Sequence, residues 1–146
     1  MPKKAKVVEK QKSPKVLLQQ RDTQQTHLCI GTRAFSLFDK RRYALSLLAH
    51  ILGGMMSSRL FVEIREKRGL GYYLSTHYEA DPDTGYLATS LGVDNQRVKE
   101  AIKIVVEEYK KIREKGVTSE ELKKAKDHQK GKLALSLESS DAQAFF

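Results

Sequence analysis

Residues 51–75 read ILGGMMSSRLFVEIREKRGLGYYLS: helix end, glycine turn, serine-capped helix, second glycine turn, tyrosine-rich strand. Gly53-Gly54 stops the first apolar run, and Ser57 or Ser58 is expected to accept hydrogen bonds from the free N–H groups that open the next helix. Leu60, Phe61 and Ile64 share one face of that helix, and Glu63 and Lys67 form an i,i+4 pair on another. Gly69 supplies a left-handed stop. Tyr72, Leu74, Thr76 and Tyr78 then alternate as a strand requires. The pattern places Arg65, near the helix end, close to Tyr72, at the strand start.

Upstream, Lys15–Arg21 and Thr26–Ala34 read as two strands joined by the polar turn Asp22-Thr23-Gln24-Gln25. In the second, Leu28, Ile30 and Thr32 face one way, His27 and Cys29 the other. A helix is expected from Asp39 or Lys40 to about Leu52, since Ala44, Leu47, Leu48 and Ile51 recur at helical spacing. Downstream, Tyr72–Ala80 and Gly85–Val93 form a hairpin across Asp81-Pro82-Asp83-Thr84-Gly85, where proline presets φ and glycine takes unusual angles. Asp94 or Asn95 caps a long helix with Val98, Ala101, Ile102, Val105, Tyr109 and Ile112 as its buried stripe, and Gly116 ends it. Thr118 and Glu121 have the spacing of a capping box, with Val117 and Leu122 as a staple. The following helix, through Leu122, Ala125, Gln129 and Leu133, is expected to continue toward the carboxy terminus. There Ala144-Phe145-Phe146 leave apolar groups still to bury, as in a chain abbreviated at that end.

These elements imply an α+β fold, an antiparallel sheet with helices packed on one face. Residues 15–146 make a single domain and residues 1–14 a basic flexible tail or linker. At 146 residues, 40% hydrophobic and 31% charged, the chain can bury a core of its own. Of the net charge of +9, more than half sits in residues 1–15, where six lysines face only Glu9. Without interleaved aromatic residues this is a weak nucleic-acid signal. No apolar run approaches the ~20 residues of a membrane span. The basic start lacks the apolar region of a secretory signal, so a cytoplasmic setting is expected. The single cysteine excludes an internal disulfide, and Cys29 is expected to be a buried, inert thiol.

His27, His50, His77 and His128 are too far apart in sequence for a self-contained zinc motif, and there is no Cys-x-x-Cys. A Gly-x-Ser-x-Gly elbow is absent, and Gly53-Gly54 lacks the lysine of a phosphate loop. The chain shows no complete catalytic apparatus of its own.

The stretch LGGMMSSRLFVEIREKRGLGYYLS, with RDTQQTHLCIG before it and GVTSEELKKAKDHQKGKLALSLES after it, resembles the pitrilysin, insulysin and mitochondrial processing peptidase family of zinc metallopeptidases (inverzincins). The likeness is to the carboxy-terminal, zinc-free domain and runs from about Lys15 to the last residue. It implies a processing-peptidase-like α+β domain, one of two in a clam-shaped half. The family's zinc is held by His-x-x-Glu-His, which is absent here. No cofactor is therefore expected in this chain, and zinc is expected in a partner domain or subunit. Arg65 and Tyr72, seven residues apart, match the arginine and tyrosine with which the family's zinc-free domain contacts substrate. A guanidinium and a phenol facing a hydrolytic centre can hold the scissile carbonyl and its developing oxyanion.

Gly53 and Gly54 correspond to a glycine-rich loop that touches substrate in some members; being short here, it reads first as a structural turn. Ser57, Ser58 and Arg59 are expected to cap and anchor the next helix. The expected function is that of a substrate-facing, zinc-free domain of a peptide-hydrolysing enzyme, active only with a zinc-bearing domain or subunit. A non-catalytic scaffolding subunit of the same family is the alternative, and a basic nucleic-acid-binding module the third reading. Partners would be that zinc-bearing piece, a peptide, and a second copy through self-association, with no membrane.

Overall fold

The computed structural model describes residue 5 and residues 7–145, the Phe145 side chain excepted. The Phe145 and Phe146 side chains, which the sequence leaves still to bury, and part of the basic tail therefore lie outside the described residues. In chain order come β1 (Gln25–Arg33), α1 (Arg42–Ala49), β2 (Gly71–Ala80), β3 (Gly85–Asp94), α2 (Val98–Lys115), α3 (Ser119–Ser136) and α4 (Ser140–Phe145). A π-helical turn, His50–Gly54, continues α1, and a second π-helical segment spans Phe61–Glu66.

The three strands form one antiparallel sheet in the order β1-β3-β2. The central strand alternates by size. Leu87, Thr89, Leu91 and Val93 are buried beneath the helices, while Ala88, Ser90 and Gly92 keep the other side small. Leu91 lies opposite Leu28 on one side and Leu74 on the other, so one apolar row crosses the sheet. Leu52, Leu60, Ile64, Ala101, Ile104 and Val105 complete the core from the helical layer. Each large aliphatic side chain buried there stabilises the fold by about 1.5–3 kcal/mol.

Two glycines make close approaches possible. A Cβ at Gly85 would stand 2.1 Å from the Phe35 carbonyl oxygen, where the chain leaving β1 crosses the hairpin. A Cβ at Gly53 would stand 2.3 Å from Thr76 Oγ1, because the π-helical turn presses its backbone onto β2. Thr76 is itself buried and shares a 2.7 Å hydrogen bond with Thr89, whose hydroxyl meets Tyr109 at 2.8 Å. A chain of hydroxyls thus links β2, β3 and α2 through an otherwise apolar layer, each group satisfied by the next.

Several expectations change. Lys15–Arg21 is not a strand, and Val16, Leu17 and Leu18 are 91%, 99% and 82% exposed. A strand needs a neighbour to take its N–H and C=O groups, and among the described residues β1 pairs only with β3. Cys29 is exposed, because the side of β1 it shares with His27 carries no helical cover. On α2 the buried line is Ala101, Ile104, Val105 and Glu108, which leaves Ile102 about 100° off the contact line and 38% exposed. Helix α3 stops at Ser136, whose hydroxyl donates back to the Leu133 carbonyl, and Ser139 Oγ accepts from Ala142 N to open α4.

Ser58 does not cap by its hydroxyl. Its side chain is turned into the core with no partner among the described residues, and the backbone carbonyl takes the Val62 N–H at 3.0 Å. Gly69 at φ +59, Gly116 at φ +70 and the reciprocal capping box of Thr118 and Glu121 are as expected, whereas Asp94 accepts from Gln96 N to open a 3₁₀ turn, Asn95–Arg97, and α2 follows it without a side-chain cap of its own.

The contact of Gly53 with Thr76 gives a testable coupling. Gly53→Ala is expected to destabilise the protein by about 1–3 kcal/mol, the usual cost of overpacking a close contact. In a Thr76→Ala background, which removes the facing hydroxyl, the same substitution should cost distinctly less. Urea denaturation of the four proteins in the cycle measures this, and equal costs in both backgrounds would refute the contact.

Candidate functional site

The segment carrying Arg65 is π-helical, with Lys67 N bonded to Val62 O five residues back. Such wide turns shift side chains relative to an α-helix and recur at functional sites. The strand carrying Tyr72 begins irregularly: Gly71 pairs with Val93 and Tyr73 with Gly92, which leaves Tyr72 as the extra residue of a β-bulge. The two irregular elements meet directly, since a Cβ at Gly71 would lie 3.0 Å from Ile64 Cγ2. Leu70 N also bonds to Ile64 O at 2.8 Å. Arg65 and Tyr72 each follow one of the two residues in contact, so the segments that bear them are joined next to both.

Both side chains are exposed, Tyr72 at 63%. Neighbouring cations are committed elsewhere. Lys67 and Arg68 both bind Glu63, and together they hold its carboxyl down at about 2. Arg97 binds Glu100. Among the described residues, the Arg65 guanidinium has no carboxylate partner and lies over the Phe61 ring, 5.3 Å from its centroid. Nor does the Tyr72 hydroxyl have a protein hydrogen bond there. Tyr73 is occupied differently: its ring lies over Gly92, where a Cβ would come within 2.9 Å, and beside His27 at 5.8 Å between centroids.

Arg59 shows what the sequence reading missed. It anchors more than its own helix, because its Nε and Nη2 donate to the two carboxylate oxygens of Glu121 at 2.5 and 2.8 Å, and Nη2 also reaches Gly116 O. That fork holds the Glu121 carboxyl down at about 2 and ties the glycine loop to the start of α3. The signal lay in the capping box, whose glutamate has a free edge for a second donor.

Gly53 is buried, and Gly54 is half-buried, where a Cβ would stand 3.2 Å from the His50 ring. His50 and His128 stand 5.5 Å apart between ring centroids, and burial pushes the His50 imidazole down. Among the described residues, no group of three His, Cys, Asp or Glu side chains could hold a metal ion. No helix of the described residues is long and apolar enough to cross a membrane.

A family model described as "Peptidase M16 inactive domain" matches residues 1–128. The chain is 35% identical over 127 residues to the "Uncharacterized zinc protease YmxG" of Bacillus subtilis, covering 87% of this chain and 31% of that protein. It therefore spans under a third of the length of this relative. Its fold matches a crystal structure of the peptidase M16 inactive domain from Pseudomonas fluorescens with a TM-score of 0.71, at 29% identity over 75% of this chain and 27% of that one. A protease from Helicobacter pylori matches with a TM-score of 0.78, at 26% identity over 85% of this chain and 30% of that one.

The Arg59–Glu121 fork carries a pH signature. A carboxyl held below its ordinary value contributes stability that is present in full above pH ~4.5 and lost as pH falls through about 2. Glu121→Gln keeps a side chain competent for the capping box but loses the charge. The variant is expected to be less stable at pH 7, with the gap to the parent closing as pH drops toward 2. Urea unfolding at several pH values checks this, and a gap independent of pH would refute it.

Proposed function

This chain belongs to the peptidase M16 inactive-domain family, and from that premise we propose that it is the substrate-facing, zinc-free domain of a peptide-hydrolysing metallopeptidase, working only beside a zinc-bearing domain or subunit. The metal chemistry falls to that other piece, since the described residues of this chain offer no metal-binding group. The observation that supports the reading is that Arg65 and Tyr72 are exposed donors with no protein acceptor among the described residues, on elements that meet at Ile64 and Gly71.

A guanidinium offers several N–H donors in a fixed plane, and a phenol offers one. Directed at a scissile peptide carbonyl, both strengthen as negative charge gathers on the oxygen, which is the condition for lowering a barrier rather than merely binding. Fixing the backbones in advance spares the reaction the cost of orienting them. The bulged start of β2 also lies on a strand whose other edge is unpaired among the described residues, so an extended peptide could add there by main-chain hydrogen bonds. Gly53 is taken up by its contact with Thr76. A main-chain contact from the glycine loop to peptide would therefore fall to Gly54 and the residues after it.

The stacking of Arg65 over Phe61 favours a second reading, in which the pair packs the surface of a non-catalytic scaffolding subunit. In a complex reconstituted with the zinc-bearing piece, Arg65→Ala and Tyr72→Phe are each expected to lower kcat/KM by about 10²-fold, the scale of losing one oxyanion donor. Co-elution on size exclusion should be unchanged. Unaltered turnover would reject the catalytic reading and support the scaffold. Stoichiometric zinc with turnover in this chain alone would reject both.

A further inference from the structure

Among the described residues, side-chain hydrogen bonds join α3 to the rest of the fold at two places, and the two answer acid differently. At the helix start Glu121 takes the Arg59 fork, and its carboxyl, held down at about 2, keeps its charge through mild acid. About 12 Å further along the helix, Gln129 Nε2 donates to Ser46 Oγ at 3.0 Å and lies 3.2 Å from His50 Nδ1. His50 opens the π-helical turn that ends at Gly54, so this second tie fastens α3 to the end of α1.

The His50 ring has one atom for two offers. Without a hydrogen, Nδ1 accepts from Gln129; with one, it donates to the Ser46 carbonyl, 3.3 Å away. A protonated ring always carries that hydrogen, so it sets donor against donor at Gln129 unless the amide turns over. Turning the amide mends the hydrogen bond but leaves a positive charge half-buried among cations. His128 stands 5.5 Å away between ring centroids, and Lys132 acts on the ring from one turn further along α3. Lys126 and Lys130 line the same cleft, α1 contributes Leu47 to it, and no carboxylate is in the lining. Asp127 borders a separate hollow, with Lys124, His128 and the loop residues Met55 and Met56. Burial above all, then His128 and Lys132, hold the His50 imidazole below its ordinary value against the opposing pull of the Ser46 carbonyl.

We propose that α3 is an arm released by mild acid: protonation of His50 detaches it from α1 at Gln129, while Arg59 keeps its first turn pinned. A ring held neutral in the docked state takes its proton more readily once undocked. The tie is therefore at full strength above 6.5 and weakens as pH falls below that value, until the docked ring is protonated too. Ala125, fully buried between the two ties, stays packed, whereas Leu133 beyond them is 45% exposed, so little apolar contact holds the far half once the histidine tie goes. The ring also abuts the Gly54 position, so the switch adjoins the glycine loop and does not depend on Arg65 or Tyr72.

The test uses the full chain in two measurements from about pH 7.5 to about pH 5, the window in which histidines change charge. By NMR the His50 ring should titrate below 6.5. Amide protection, corrected for the intrinsic pH dependence of exchange, should fall by about threefold or more across residues 126–136 and stay constant across 119–124. His50→Gln, which cannot take a proton, should hold the protection of 126–136 level over the same range. Lys132→Glu, which gives the ring a carboxylate neighbour, should raise the His50 titration point and blunt the loss. Circular dichroism checks that each variant keeps its helices. A His50 ring that titrates at or above 6.5 overturns the proposal, and this is read on the parent chain whatever the variants do. A loss of protection that is absent, shared equally by both halves of α3 or undiminished in His50→Gln overturns it as well.

Discussion

The structure depends on one place where a backbone without a side chain is pressed against a sheet. At Gly53 the chain leaving α1 comes so near β2 that a methyl group would collide with the Thr76 hydroxyl. That proximity has consequences in both directions. Beneath it, Thr76, Thr89 and Tyr109 join hydroxyl to hydroxyl, so the polar atoms the close approach buries are not orphaned. Gly53 itself lies in the first π-helical turn, and after it the chain re-enters as the second, the segment that bears Arg65. Both π-helical turns flank the stretch that begins at this contact.

A second constraint acts from far away in sequence. Arg59 grips Glu121 and the Gly116 carbonyl, 62 and 57 residues on, so the turn between α2 and α3 holds the start of the Arg65 segment. Glu63 secures the same segment from its other side by drawing in Lys67 and Arg68. The region around Arg65 is thus rigid at both ends while the guanidinium itself stays out in solvent. A rigid frame carrying a solvent-facing donor is what a binding group requires.

How much of this could be read from residues alone varied with the range of the interaction. Local chemistry was legible: Gly69 and Gly116 at positive φ, the Thr118–Glu121 box, and the hairpin across Asp81–Gly85 all follow from neighbours a few residues apart. What depended on a distant partner was not. Val16-Leu17-Leu18 has strand-forming side chains but no strand beside it, and Cys29 looks buried only if a layer is assumed on its side. The Ser58 hydroxyl faced two possible environments, the helix opening or the core, and the packing around it chose the core. The seven-residue spacing of Arg65 and Tyr72 was plain. The bulge at Tyr72 and the Ile64–Gly71 contact that joins the two segments involve pairing no spacing encodes.

The bare side of the sheet leaves one last consequence. Cys29 is the chain's only thiol, and it stands on that uncovered side near the His27–Tyr73 pair. A dye or spin label attached there would sit at a single defined address, on the side of the sheet away from the described helices. The molecule thus carries its own attachment point, from which the arrival of another body over that side can be watched without altering a residue.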